Sequence, residues 1–145
     1  MNIIQVTLFI MVGGAGGALA RFGVQGLFAT RTPLPGWLAI MVVNVTGSFM
    51  IGLLACWLTG EASHLRLEHL SPARITQDEV AISEALGIFV IGFCGAFTTF
   101  STFSLDNFLL LITNRGQFLL NAVCTTVLAY IAVMAGWYIG GSLLP

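Results

Sequence analysis

GFCGAFTTFSTFS, residues Gly92 to Ser104, sets five hydroxyl side chains in the middle of an apolar stretch. Thr98, Thr99, Ser101, Thr102 and Ser104 interleave there with Phe97, Phe100 and Phe103. The run around it, about 81–112, is too long for one straight crossing, because about 20 helical residues span a hydrocarbon core of about 30 Å. Gly92 and Gly95 lie near its middle, so the expectation is a helix broken near Gly95. Backbone groups freed at such a break are tolerated in a membrane only where protein buries them or a polar path runs past. Freed carbonyls also make a natural cation site. An unbroken helix whose hydroxyls bond back to their own i−4 carbonyls accounts for the same letters.

Outward from this stretch, three more apolar runs are long enough to cross: about 3–28, 37–58 and 118–143. The breaks between them carry turn chemistry, with two prolines and a glycine in Thr30–Gly36 and a short polar turn at Thr113–Gly116. Over the whole 145 residues, 57% of side chains are apolar and 8% charged, and mean hydropathy is +0.97. A soluble domain carries about a quarter charged residues, so this chain cannot coat a globule's surface. Disorder is excluded by the same apolar excess, and a basic nucleic-acid binder by the net charge of −1. The fold class is therefore an all-α integral membrane protein, one domain of four transmembrane helices. Met1–Leu8 holds no Lys or Arg, which a signal peptide would want ahead of its apolar run, so the first segment is expected as a retained helix. Cys56, Cys94 and Cys124 each sit inside an apolar run at wide spacing and read as packing residues.

The connection at about 59–80 is the one soluble-looking piece, with both histidines and most of the acids. Thr76–Glu79 forms a capping box for the third helix. His64 and His69 lie five apart and do not share a helix face, so a solvated loop is favoured over a metal site. Four spans put both termini and this loop on one side, with Arg66 and Arg74. The other side carries Arg31 and Arg115, with Arg21 near the membrane edge. Orientation follows an excess of Lys and Arg on cytoplasmic loops, and no clear excess exists here. Insertion in both orientations follows, which points to an antiparallel homodimer of dual topology. Four packed helices leave no lumen, so a pathway forms more naturally between two copies. Gly13, Gly14, Gly16 and Gly17, with Gly136, Gly140 and Gly141, suit helix association, and serve equally for close packing within one subunit.

Within the spans, Asn44 falls near the midplane of the second helix, with Thr46 and Ser48 following. A midplane amide is a functional-site candidate, since its NH₂ donates two hydrogen bonds while its carbonyl is held elsewhere. Interhelical bonding is the ordinary alternative. Phe100 and Phe103 share a helix face, and a ring's edge is its positive rim. Ring edges and hydroxyl protons together suit a small anion. Arg21 fits a vestibule that attracts anions, and snorkelling to the headgroups explains it equally well. Asp106 is the one carboxylate in the apolar part of a span, and no nucleophile has a base beside it, so an enzyme is not expected. The rival to an anion path is a small dual-topology multidrug or cation exporter, which would use Asp106 to trade protons for substrate.

Three blocks, GALARF at Gly17–Phe22, NVTGSF at Asn44–Phe49 and the Gly92–Ser104 stretch, resemble the Fluc (CrcB-type) fluoride channels in order and placement. The resemblance covers the whole four-span plan, and its third block is highly specific. It implies an antiparallel homodimer in the bacterial inner membrane with two pores that pass fluoride passively. It implies Asn44 as pore amide, Phe100 and Phe103 as pore phenylalanines, and Arg21 as vestibule arginine. Thr99, Ser101 and Thr102 would be further hydroxyls near the path. Gly95 and Thr98 would hold a central structural sodium ion (Na+) through their backbone carbonyls. Thr125 and Thr126 are the last-helix hydroxyls that would line the path. Asp106 stands where the family commonly has Glu, and the 59–80 loop is long for the family.

Overall fold

The computed structural model describes residues 3–68 and 89–143, and every regular element in them is helical. Helix α1 runs over Ile3–Arg31 and stops where Pro33 and Pro35 withdraw two backbone donors. Its last turn is closed by Thr32, whose N–H and hydroxyl both donate to the Phe28 carbonyl, at 3.2 and 2.9 Å. Helix α2 runs over Trp37–Glu68, entered through bonds from Leu38 N–H to the Pro35 carbonyl and Ala39 N–H to the Gly36 carbonyl. It therefore continues through residues 59–68, which polarity assigns to a loop. The stretch is polar yet holds no proline and is rich in Ala, Leu, Glu and Arg, so nothing in it stops a helix. The remainder of that connection, with its capping box, lies outside the described residues, as do 81–88 of the expected third span.

The chain resumes in a π-helical turn, Phe89–Cys94, followed by the single α-turn α3 at Gly95–Phe97. Thr98 and Thr99 are extended, with φ/ψ of −72°/156° and −151°/115°. Helix α4 then occupies Phe100–Thr113. Gly95 itself stays helical, and the backbone departs three residues later, at two β-branched threonines, of which Thr99 accepts the Thr102 N–H at its hydroxyl in place of a backbone carbonyl. Helix α5, Arg115–Leu143, follows after the single residue Asn114. Asn114 serves both helices: its N–H donates to the Leu110 carbonyl at 2.7 Å, and its Oδ1 accepts from Gln117 N–H at 3.1 Å. Four stretches are long and apolar enough to cross a membrane: Ile3–Arg31, Trp37–Trp57, Ile91–Thr113 and Arg115–Ser142. Their outer faces expose large apolar side chains such as Phe22, Phe108, Ile131 and Tyr138. A water-exposed surface of that kind would associate, whereas hydrocarbon accepts it.

The glycines answer a question their spacing leaves open. A side chain on Gly17 would strike the Phe93 carbonyl, and one on Gly92 would come within 2.7 Å of the Ile10 carbonyl. Gly14, Gly16 and Gly17 thus seat α1 on the Phe89–Phe97 segment of the same chain. Gly52 and Gly136 do the same for α2 and α5, meeting the carbonyls of Val133 and Phe49. Gly140 faces Cys56, which is buried with Ala39, Ile40, Val43 and Cys94 in the small apolar core. Without a hydrophobic drive between helices in lipid, such backbone approach supplies the packing energy. Gly136→Val should therefore cost at least the about 1–3 kcal/mol of an overpacked core, because rigid backbone is what it meets. Gly23→Ala, with open space around it, should be neutral. Denaturation of the two variants in detergent, followed by circular dichroism, checks the contrast; equal stabilities would contradict it.

Candidate functional site

The two extended threonines are held from the neighbouring helix. Asn44 of α2 accepts the Thr99 N–H at its Oδ1, 2.8 Å away, and donates from Nδ2 to the Thr99 carbonyl at 3.2 Å. One amide thereby satisfies both backbone groups of a residue that has left the helix. Gly47, one turn along α2, leaves room for the Thr98 methyl and the Phe97 ring. Thr99 in turn caps α4: its Oγ1 accepts from Thr102 N–H at 3.3 Å and lies within 3.2 Å of the Ser101 and Thr102 hydroxyls. This is the N-cap arrangement that Thr favours.

These bonds have a consequence for two carbonyls. In a continuous helix the carbonyl of residue i accepts from the N–H of residue i+4. Thr99 N–H belongs to Asn44 instead, so the Gly95 carbonyl loses its donor. Thr102 N–H belongs to the Thr99 hydroxyl, so the Thr98 carbonyl loses its donor as well. Cys94 receives both the N–H and the hydroxyl of Thr98, at 3.0 and 2.9 Å. Gly95 lies exposed on the chain's surface, with open space where a Cβ would stand.

Beside the extended Thr98 and Thr99 is a cavity of about 350 Å³. Asn44 and Ser48 of α2, Thr98 and Thr99, Phe100 and Phe103 of α4, and Thr125 and Thr126 of α5 all line it. No ionisable side chain does. The Phe100 and Phe103 rings stand 6.0 Å apart between centroids at 45°, with Phe100 exposed and Phe103 half-buried. One of the two Asn44 amide protons is taken by the Thr99 carbonyl, so one rather than two is left for the cavity.

The other candidates fall elsewhere. Thr102 lines a second cavity of about 650 Å³ with Asp106, Gln25 and Gln117, at the end of the bundle where α2 begins and α4 stops. Trp37 Nε1 donates to Gln117 Oε1 there at 3.3 Å. Ser101 and Arg21 line neither cavity. Two residues that the sequence motifs do not include stand behind Thr125, Asn121 buried and Asn107 half-buried. Asn121 of α5 is 1% exposed, accepts from the Thr125 hydroxyl at 2.9 Å, and donates to Asn107 Oδ1 at 3.2 Å. The rule that singles out Asn44, an amide inside an apolar span, applies to Asn121 as well.

A bundle with an apolar exterior and a cavity within its spans lined by an amide, hydroxyls and aromatic rings without an ionisable group defines a multi-pass membrane protein. Comparison with known proteins sharpens this. The family model described as CrcB-like protein, Camphor Resistance (CrcB), matches residues 8–137, and the chain belongs to that family. A protein of Parabacteroides distasonis named fluoride-specific ion channel FluC is 35% identical over 144 residues, covering 98% of this chain and 97% of its own. Proteins of the same name from Vibrio cholerae and Hydrogenobaculum sp. are 35% and 34% identical over 130 and 140 residues. These alignments cover 89% and 94% of this chain, and 87% and 98% of the respective relatives. The chain is thus a multi-pass bacterial membrane protein and not an enzyme.

Proposed function

We propose that this chain forms a fluoride-selective passive channel that exports fluoride across the bacterial inner membrane. The carrying observation is the cavity beside Thr98–Thr99, which is lined by an amide, hydroxyl side chains and two phenylalanine rings with no fixed charge. Fluoride is small and strongly hydrated, so removing its water is costly unless protein groups replace it. The remaining Asn44 N–H and the Ser48 hydroxyl supply hydrogen bonds, and the positive rims of Phe100 and Phe103 supply weaker attraction. A fixed cation in the path would hold the ion; neutral donors bind it and let it leave, which conduction needs. The relatives' name supports the same ion. Asp106, on which a proton-coupled exporter would depend, lines the other cavity.

The turn at Phe89–Phe97 and helix α4 act as one interrupted crossing, and two chains insert in opposite orientations as a homodimer with two pores. The balance of Arg31 and Arg115 against Arg66 and Arg74 supports dual insertion. The carbonyls of Gly95 and Thr98, without helical donors, fit a hard cation that takes oxygen ligands, and would hold sodium at the dimer centre. Bound there, the ion offsets negative charge in the nearby pores. Arg21, Ser101 and Thr102 belong to the approaches, outside the constriction at Asn44 and Phe103.

The test is efflux from liposomes holding purified dimer, read with a fluoride electrode and repeated with chloride. Fast fluoride loss with little chloride loss is expected. Replacing sodium on both sides by a large organic cation should slow it. No fluoride loss from folded, dimeric protein would overturn the channel, and unaltered flux without sodium would remove the ion's role.

A further inference from the structure

The hydrogen bonds behind Thr125 run in the wrong direction for an anion. A threonine hydroxyl has one proton and two lone pairs. The Thr125 proton goes to Asn121 Oδ1 at 2.9 Å, so Thr125, which lines the cavity, turns only lone pairs towards it. The next link keeps the same sense, with Asn121 Nδ2 donating to Asn107 Oδ1 at 3.2 Å. Thr126, the neighbouring cavity hydroxyl, spends its proton on the Ala122 carbonyl of its own helix at 2.7 Å.

The chain of two amides is reversible. A carboxamide has nearly the same shape after a half-turn that exchanges its oxygen and nitrogen. With both amides turned, Asn107 Nδ2 donates to Asn121 Oδ1 and Asn121 Nδ2 donates to the Thr125 oxygen. Thr125 then directs its proton into the cavity. Both senses make the same two bonds inside the protein, and burial of Asn121 and Thr125 at 1% and 4% exposure keeps water from substituting for either. The occupant of the cavity therefore selects between them: an anion favours the reversed chain and a hydrogen-bond donor the observed one.

We propose that Asn121 and Asn107 are positioning residues that set the direction of the Thr125 hydroxyl and so let it donate to an anion in the cavity. This rests on the fluoride-channel reading above. An acceptor-only residue at 107 would pin Asn121 Nδ2, hold Asn121 Oδ1 against Thr125, and lock the hydroxyl away from the anion. Fluoride efflux from liposomes at alkaline pH should accordingly fall about tenfold in Asn107→Asp, the scale of one lost hydrogen bond to a charged partner. In a Thr125→Val background the same substitution should change the rate by less than about twofold, because its route of action is gone.

A negative charge acting through space, or a purely structural defect, would lower efflux by the same factor in both backgrounds, and that result overturns the proposal. Unchanged efflux in Asn107→Asp overturns it too. Should Asn107→Asp not assemble, Asn121→Asp carries the same cycle, since its carboxylate also only accepts from Thr125. Wild-type protein that passes no fluoride would remove the channel reading and this inference together. Conducting wild type with an additive cycle removes the inference alone.

Discussion

Under the proposed channel function, Asn44→Asp is expected to lower fluoride efflux at least about a hundredfold in protein that still folds. The substitution preserves shape and keeps one of the two bonds, because a carboxylate oxygen still accepts the Thr99 N–H. It removes the other. Where Nδ2 donates to the Thr99 carbonyl at 3.2 Å, a second carboxylate oxygen would face that carbonyl, lone pair to lone pair. It also removes the remaining cavity donor and puts a negative charge into a space that has none. At an effective dielectric of about 20, like charges about 4 Å apart repel by about 4 kcal/mol, which alone exceeds the hundredfold threshold. Efflux is measured per folded protein, after size-exclusion chromatography. A rate within about threefold of wild type would mean that the ion does not pass Asn44, and that the amide serves the backbone of Thr99 alone.

That double duty explains what could and could not be read from the letters. The four crossings follow from apolar length, and the class of Asn44, Phe100 and Phe103 follows from polar and aromatic residues set where lipid should exclude them. Where the backbone leaves the helix follows only to within a few residues of Gly95. Glycine is the usual suspect, yet Gly95 stays helical and the departure falls at Thr98 and Thr99. A helix end needs substitutes for its lost bonds, and those come from Asn44, about 55 residues away, and from the Thr99 hydroxyl. Spacing along one segment carries no record of a partner on another. The same limit applies to the glycines, whose small-residue pattern permits either intersubunit or intrasubunit contact until Phe49, Phe93 and Val133 are seen opposite them. It also hid the pairing of Asn107 with Asn121 across α4 and α5, although Asn121 by itself meets the rule that singles out Asn44. The end of α2 failed for a different reason: polarity marks exposure to water, and a helix leaving the membrane at Trp57 need not stop there.

Phe103→Ile should lower fluoride efflux by about thirtyfold, the equivalent of about 2 kcal/mol, on the scale that desolvated cation–ring contacts set for attraction between an ion and a ring quadrupole. Isoleucine is apolar and fills much of the same space, so neither the dryness of the path nor its width changes greatly. What disappears is the positive rim of the ring, which is the part an anion uses. Phe103 is the half-buried member of its pair, in contact with Phe100 at 6.0 Å between centroids, so its ring is the more constrained of the two. A constrained ring needs less rearrangement when the ion comes, which is why a weak interaction matters in a narrow path. Phe93→Ile provides the comparison. Phe93 stacks on Phe97 at 5.7 Å beside α1 and does not itself line the cavity, so its loss should affect stability and leave efflux per folded protein within about threefold of wild type. Equal losses in the two variants would show that the rings act by packing. A large loss confined to Phe103 would show that the ion passes along its edge.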